Sequence, residues 1–132
     1  MEKVKTILVV DDHREIVKLL EHILTTNGYE TIFAYDGENA LYVCQDYPFP
    51  IHLLLTDIHM EPNMDGCELA ATMRILRPEI KVIYMSAYTE DERVFREVRA
   101  GMADFLPKPF SQKELLKKVE DMLGVKSLSK SS

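Results

Sequence analysis

The sequence predicts an α/β fold with a mainly parallel five-stranded sheet and five helices on its two faces. Short apolar runs rich in β-branched residues alternate with longer segments in which apolar residues recur every three or four positions, the spacing of an amphipathic helix. The whole pattern fits within 132 residues, a length that suits one domain. Strands that alternate with helices pair in parallel through right-handed crossovers, so a sheet covered on both faces is expected.

The first strand and the first helix have the clearest patterns. Ile7–Val10 is an uninterrupted apolar run, as in a strand that is buried on both faces. The helix that follows stops at Asn27-Gly28, a common helix end, and its apolar residues are Ile16, Leu19, Leu20, Ile23 and Leu24. The chain is therefore expected to begin with a buried strand and an amphipathic helix.

A shorter helix lies between the second and third predicted strands. The strands are expected at residues 29–34 and 51–56. The helix between them begins at Asp36-Gly37, ends at the proline-containing stretch 47–50, and carries Ala40, Leu41 and Cys44.

The last three helices begin with capping-box patterns, in which a cap residue is followed three positions later by a glutamate: Asp65 to Glu68, Thr89 to Glu92 and Ser111 to Glu114. Their expected inward residues are Leu69, Met73 and Leu76, then Val94 and Val98, then Leu115, Leu116, Val119 and Met122. Strands are predicted at 81–85 and 104–106. The domain should span residues 1–123, and residues 124–132 should form a flexible tail or the start of a linker.

Charge and composition exclude several classes of function. The formal net charge of -6 argues against a bare nucleic-acid-binding surface, which needs a basic excess. The apolar run after the N-terminus is too short for a signal peptide or a membrane span, so a cytoplasmic protein is expected. Cys44 and Cys67 lack metal-ligand spacing and should be reduced packing residues. The histidines at positions 13, 22 and 52 are likewise assigned to structure and not to a metal.

Polar residues follow four of the predicted strands. Asp11 and Asp12 follow the first strand, Asp57 the third, Ser86 the fourth and Lys108 the fifth. Because the carboxyl ends of parallel strands meet at one edge of the sheet, these side chains are expected to converge there.

Three carboxylates in one cleft need a compensating charge, since two unit charges about 4 Å apart repel by roughly 4 kcal/mol at an effective dielectric near 20. A hard divalent cation such as Mg²⁺ supplies it, and Mg²⁺ commonly shares its coordination with phosphate. Lys108 would then face the phosphoryl oxygens, Ser86 would donate a hydrogen bond, and Asp57 could attack phosphorus and carry an acyl phosphate.

Five ordered motifs identify a family. They are VVDD (9–12), LLLTD (53–57), MDG (64–66), YMSAY (84–88) and ADFLPKPF (103–110). Together they resemble the receiver domain of two-component response regulators, including the chemotaxis receivers, over residues 6–123. The resemblance implies a flavodoxin-like, doubly wound sheet with strand order 2-1-3-4-5.

The resemblance also implies roles for single residues. Asp57 would accept a phosphoryl group from a phosphohistidine of a sensor histidine kinase or a histidine phosphotransfer protein. Asp12 and Asp57 would bind Mg²⁺ directly, with Mn²⁺ as an alternative ion. Asp11 would bind it mostly through water, and the backbone carbonyl of His59 would add a ligand.

Further implied roles concern the switch. Lys108 would pair with Asp57 at rest and with the phosphoryl group afterwards, and the Lys108-Pro109 bond would be cis. Ser86 would move toward the phosphoryl oxygen and let Phe105 turn inward. The face built from helix 4, strand 5 and helix 5 would then change for an effector domain or partner protein, and a homodimer through helix 4 is left open. The domain would be a signalling phosphoacceptor and no ordinary enzyme, contacting neither nucleic acid nor membrane.

One departure and three alternatives remain. The loop after the acceptor has one residue more than the usual family pattern, near Glu61. A Mg²⁺-dependent phosphatase that forms an aspartyl phosphate is an alternative, although His59 stands where many such enzymes have a second acid. A flavin-binding module would want a neutral phosphate-binding loop where Asp11-Asp12 stands. A pseudo-receiver that binds partners without phosphorylation is the third.

Overall fold

The computed structural model describes residues 4–60 and 62–125, and its centre is a sheet of five parallel strands. The strands are β1 (Thr6–Val10), β2 (Glu30–Ala34), β3 (Leu53–Asp57), β4 (Lys81–Ser86) and β5 (Ala103–Pro107). Their order is β2-β1-β3-β4-β5, and every neighbouring pair is parallel. The predicted strand order is confirmed.

Five helices alternate with the strands, also as predicted. They are α1 (Arg14–Thr26), α2 (Gly37–Asp46), α3 (Gly66–Leu76), α4 (Glu92–Arg99) and α5 (Gln112–Leu123). Among the described residues, no helix combines the length and the apolar character that crossing a membrane requires.

The core has two layers, one on each face of the sheet. Leu8 and Val10 of β1 pack with residues of α2, α3 and α4, whereas Ile7 and Val9 pack with residues of α1 and α5. Successive strand residues point to opposite faces, which explains why β1 and β3 are buried along their whole length. Each fully buried Leu, Ile or Val side chain contributes about 1.5–3 kcal/mol to the stability of the folded state. The two core layers therefore hold the strand ends in fixed positions.

The caps of three helices test the capping-box predictions. Both side-chain and backbone bonds of the box are present at Asp65 and at Ser111, which confirms those two. The prediction at Thr89 is wrong, because α4 begins later and its N-cap is Asp91, whose carboxylate accepts from the Arg93 N–H. Thr89 instead accepts the Asp91 N–H through its hydroxyl, so two good cap residues compete and the second begins the helix.

Some boundaries and inward positions differ from the prediction. Leu76 was expected inside but is 44 % exposed, because it is the last residue of α3 and lies one turn beyond Met73, the last buried residue of that helix. Ile51 is buried although β3 begins only at Leu53. Cys44 and Cys67 are buried free thiols, as predicted. The extra residue at Glu61 and residues 126–132 of the predicted tail lie outside the described residues.

Candidate functional site

The strand ends bring the predicted polar residues to one edge of the sheet. Val10 pairs with Thr56, Asp57 with Met85, and Ser86 with Pro107, so β1, β3, β4 and β5 all end at the same level. Asp11 and Lys108 each follow directly on their strand. The convergence expected from the sequence is therefore present.

The acidic part of the site contains Asp11, Asp12, Asp57 and also His13. Each of these four residues offers a ligand atom within 4.8 Å of the others. Asp11 and Asp57 are buried, whereas Asp12 and His13 are exposed. The two adjacent aspartates therefore differ in environment, since only Asp11 is enclosed by the protein.

Lys108 joins the two buried carboxylates. Its ammonium lies 2.8 Å from Asp11 Oδ2 and 3.6 Å from Asp57 Oδ1. The resemblance implied a resting pair with Asp57, but the closer partner is Asp11. The reason is burial: the Asp11 side chain is 0 % exposed, and a charge removed from water needs a directly bonded partner. The Lys108-Pro109 peptide bond is cis, as the resemblance implied.

The two buried carboxyl groups have pKa values shifted in opposite directions. Burial raises the pKa of Asp57, and the nearby Asp11 and Asp12 add to this, while Lys108 opposes it. Burial also acts to raise the pKa of Asp11, but hydrogen bonds from Lys108 and His13 outweigh it and lower that pKa. Of the two buried carboxylates, Asp57 is thus the one whose negative charge is less compensated by its neighbours.

The Asp57 carboxylate suits a cation. Its side chain is only 8 % exposed, yet it accepts no hydrogen bond within the part of the chain that the structure describes, and its contact with Lys108 is 3.6 Å long. The carboxylates of Asp11, Asp12 and Asp57 carry more negative charge than the single ammonium of Lys108 can compensate. A divalent ion bound between Asp12 and Asp57 would supply the missing charge, so the residues present fit Mg²⁺.

Ser86 is engaged by its own loop. Its hydroxyl donates to the Tyr88 carbonyl at 2.6 Å and accepts from the Tyr88 N–H at 3.2 Å. A movement of Ser86 toward Asp57 would break both bonds and so disturb the segment between β4 and α4. Phe105 is partly buried and packs on the core layer that contains α4.

Gly66 has a structural role at the site that its motif did not reveal. It donates its N–H to the Ile58 carbonyl at 2.8 Å, and a Cβ added to it would lie 2.2 Å from the Asp57 carbonyl oxygen. The backbone of α3 therefore approaches Asp57 as closely as only glycine allows. The sequence signal was a glycine directly after a helix cap in the loop that follows Asp57.

His13 is the second residue that sequence reasoning missed. Its side chain is exposed, but its Nδ1 lies 2.9 Å from Asp11 Oδ1 and 3.1 Å from Asp12 Oδ1. Its hydrogen bond and charge interaction with Asp11 raise the pKa of the imidazole. The only available signal was its position directly after the aspartate pair.

His59, whose carbonyl is an expected metal ligand, follows Asp57 by two residues. Its side chain is exposed, and its charge acts to lower the pKa of Asp57.

The chain forms a doubly wound α/β domain, and buried aspartates and a lysine lie at the carboxyl ends of its strands. This combination of fold and site defines a class of proteins. A family model for the response regulator receiver domain matches residues 7–120, and the chain belongs to this family. Its homologues are response regulators of two-component systems.

The curated relatives are longer than this chain. It is 35% identical over 132 residues to the regulatory protein AtoC of Escherichia coli K12, covering 98% of this chain and 28% of AtoC. It is 35% identical over 117 residues to the transcriptional regulatory protein CpxR of the same strain, covering 89% and 48%. The chain thus spans between about a quarter and a half of these relatives.

Two solved structures show the same fold. A CheY-like receiver domain from Methanospirillum hungatei JF-1 superposes with a TM-score of 0.82 at 31% identity, covering 92% of this chain and 95% of that one. NtrX from Brucella abortus, crystallised with ADP, superposes with a TM-score of 0.81 at 32% identity, covering 92% and 27%. The flavodoxin-like fold is confirmed.

Proposed function

We propose that this domain accepts a phosphoryl group on Asp57 from a phosphohistidine of a sensor histidine kinase or a histidine phosphotransfer protein. The observation that carries the proposal is the Asp57 carboxylate itself. It is almost enclosed, accepts no hydrogen bond from the described residues, and lies 3.6 Å from a lysine ammonium. A carboxylate whose oxygens accept no hydrogen bond can act as a nucleophile.

The reaction needs a metal ion that Asp12, Asp57 and the His59 carbonyl would hold, with Asp11 acting through water. When bound, Mg²⁺, or Mn²⁺ in its place, would neutralise charge on the transferring phosphoryl group. An oxygen of Asp57 attacks phosphorus, the P–N bond of the phosphohistidine breaks, and its electron pair returns to the donor imidazole. The product is an acyl phosphate on Asp57.

Lys108 stabilises that product. Phosphorylation adds close to two negative charges and strong acceptor oxygens at one point. Lys108 is already within reach of Asp57 while it is bonded to Asp11, so a small displacement brings its ammonium to the phosphoryl oxygens.

Ser86 connects the phosphoryl group to the distal face of the domain. Its hydroxyl leaves the Tyr88 backbone and donates to a phosphoryl oxygen, which frees the segment before α4. Phe105 then turns inward, and the face of α4, β5 and α5 changes shape. The phosphoryl group biases an existing two-state equilibrium, because it makes these contacts in one state only.

The proposed output is control of an effector domain or partner protein in the cytoplasm. Relatives such as CpxR are named transcriptional regulators and extend well beyond the matched region. With a net charge of -6 the domain itself would not contact nucleic acid. A homodimer through α4 is one form that the changed face could support.

The decisive experiment uses acetyl phosphate as phosphodonor, with and without Mg²⁺, and reads intact mass. Wild type should gain one phosphate only with Mg²⁺. Asp57→Asn should gain none, and Asp46→Asn, an exposed aspartate at the end of α2, should behave as wild type. A phosphate on Asp57→Asn would contradict the proposal. Steady turnover of phosphomonoesters would instead support the phosphatase.

A further inference from the structure

Arg93 joins the beginnings of two helices that follow the strands of the site. Its Nη2 donates to Asp65 Oδ2 at 2.8 Å. Its Nε and Nη2 also donate to the two carboxylate oxygens of Asp91, at 3.0 and 2.7 Å. Asp65 is the N-cap of α3 and Asp91 is the N-cap of α4. One guanidinium therefore connects the starts of α3 and α4, and we call these contacts the Arg93 bridge.

The α3 end of the Arg93 bridge is fixed close to Asp57. Both bonds of the capping box hold Asp65 to the first turn of α3. The next residue, Gly66, donates its N–H to the Ile58 carbonyl and lies against the Asp57 backbone. Asp65 is therefore placed by the packing of α3 on β3 and offers Arg93 a partner with a fixed position.

The α4 end of the bridge belongs to the segment that the proposed switch releases. Ser86 is the last residue of β4, and its hydroxyl is bonded to the Tyr88 backbone, three residues before Asp91. If Ser86 turns to a phosphoryl oxygen, this segment is freed and Asp91 can shift relative to Asp65. A guanidinium is a planar fork with fixed bond directions, so it binds both carboxylates only in one relative position. The Arg93 bridge therefore fits the resting arrangement and must open when the segment moves.

The Arg93 bridge has the features of surface ion pairs that contribute measurably to stability. The side chains of Asp91 and Asp65 are 19% and 29% exposed. Two nitrogens of Arg93 meet two oxygens of Asp91, and this hydrogen bonding lowers the pKa of Asp91. Bidentate arginine contacts and networks of several charges are the exceptions to the rule that exposed pairs contribute little.

We propose that Arg93 is a positioning residue of the phosphorylation switch, which holds the beginning of α4 to the beginning of α3 at rest and so opposes the phosphorylated conformation. The inference rests on the proposed function and adds the residue that sets the balance between its two states. A contact made in one state only biases the equilibrium by its own free energy. The expected bias is about two- to fivefold, which corresponds to about 0.4–1 kcal/mol.

The test is the affinity for beryllium fluoride, a noncovalent analogue of a phosphoryl group, measured in the presence of Mg²⁺ by ¹⁹F nuclear magnetic resonance. Arg93→Gln should bind it about two- to fivefold more tightly than wild type. Loss of a positive charge near an anion site would by itself weaken binding, so the direction distinguishes the bridge from simple electrostatics. Equal or weaker binding by Arg93→Gln would overturn the inference.

Arg99→Gln is the matched control. Arg99 also lies on α4, but it is 67% exposed and its Nη2 is 3.8 Å from Glu92 of the same helix. This variant should bind beryllium fluoride no more tightly than wild type. Tighter binding by both variants would show a general effect of charge on α4 and would contradict a specific role of Arg93.

A double-mutant cycle assigns the effect to the contact between two side chains. Asp65→Asn keeps an oxygen that can cap α3 but removes the charge that binds Arg93. Once either partner is replaced the bridge is broken, so the double variant should bind beryllium fluoride no more tightly than the tighter single variant. Independent, additive effects of the two substitutions would refute the bridge.

Asp57→Asn separates this inference from the proposed function. Binding that needs Mg²⁺ and disappears in Asp57→Asn supports the phosphoryl site. If wild type shows such binding and Arg93→Gln does not tighten it, the proposed function stands and the role of Arg93 is lost. If wild type binds no beryllium fluoride, the proposed function fails and this inference fails with it.

Discussion

The Lys108 ammonium bonds to Asp11 at 2.8 Å, joining residues 97 positions apart at the edge of the sheet. The Asp11 side chain is fully buried and the Lys108 side chain is 18% exposed, so the ion pair is largely shielded from water. The lysine that is proposed to contact the phosphoryl oxygens on Asp57 is therefore also needed to compensate a buried charge.

Replacing Lys108 should destabilise the metal-free protein. Removing one partner of a buried ion pair costs about 3–5 kcal/mol, and Lys108→Met should lie near the lower end because His13 also faces Asp11. Urea unfolding in the presence of a chelator measures this. Lys117→Met is the control, since Lys117 is 70% exposed and pairs with Asp121 on the surface, and it should cost less than about 0.5 kcal/mol. Equal effects of the two substitutions would contradict the buried pair.

Asp57→Asn should stabilise the metal-free protein at neutral pH. Burial raises the pKa of Asp57, so the folded state binds a proton at this carboxyl group more tightly than the unfolded state does. Above the folded pKa the carboxyl group is ionised, and the folded protein is less stable by the free energy of keeping that charge buried. As pH falls through that pKa toward the ordinary value of 3.8, the wild type loses this cost and the advantage of the variant disappears. Unfolding free energies from pH 7 to 3.5 with a chelator test it, and an advantage independent of pH would contradict the cause given.

Gly66→Ala should destabilise the protein and weaken phosphorylation of Asp57. The added Cβ would lie 2.2 Å from the Asp57 carbonyl oxygen, where backbone and not a flexible side chain must move. Overpacking of this kind costs about 1–3 kcal/mol. Gly37→Ala is a matched control, because Gly37 also begins a helix but its added Cβ would meet side-chain atoms of Met64 at 2.9–3.0 Å, a milder clash than the one with the backbone at Gly66. Thermal unfolding and intact mass after acetyl phosphate would show a smaller effect for Gly37→Ala.

Tyr84 anchors α4 through its hydroxyl. It donates to Glu97 Oε1 at 2.7 Å, and Arg74 of α3 donates to the same oxygen at 2.8 Å. Tyr84→Phe should cost about 1.5–3 kcal/mol, the value of a hydrogen bond to a charged group, and should speed amide exchange in α4, which buries only Val94 fully. Tyr42→Phe, at a residue 56% exposed, should change neither. Unchanged exchange in α4 after Tyr84→Phe would refute the anchor.

The fold could be predicted because its signals are local and repeated. β1 is a continuous apolar run, and α5 has both a capping box and a Gly124 with a left-handed φ of 69. The grouping of Asp11, Asp57 and Lys108 followed from parallel topology alone. The sequence could not predict distances between particular atoms. Whether Lys108 lies closer to Asp11 or to Asp57, and how closely Gly66 approaches Asp57, depend on packing between elements far apart in the chain.

The same limit applies to single side chains at helix ends. His13 follows the aspartates in sequence, but whether its ring lies over them or along α1 depends on its backbone angles. Thr89 and Asp91 are both acceptable caps by residue type, and in the structure Asp91 caps α4. These details decide ligand geometry and loop coupling, so the roles of individual site residues need the experiments described above.

His52 should make stability depend on pH between neutral and mildly acidic conditions. Its Nδ1 accepts the Thr6 N–H at 2.9 Å, which it can do only when that nitrogen carries no proton. Burial, together with the charge of Lys5, lowers the pKa of His52. The folded state therefore resists protonation, and its stability is intact above the ordinary value of 6.5 and is lost as pH falls through 6.5 toward the folded pKa.

His52→Asn isolates this effect, because the amide oxygen can accept the Thr6 N–H and does not titrate. Wild type should lose about 1 kcal/mol relative to this variant between pH 7.5 and pH 5, the typical value of one hydrogen bond. The comparison with the variant is needed because the raised pKa of His13 adds stability below 6.5 and opposes the trend in wild type. Urea unfolding at both pH values gives the difference, and a difference that stays constant would contradict the predicted link between protonation of His52 and stability.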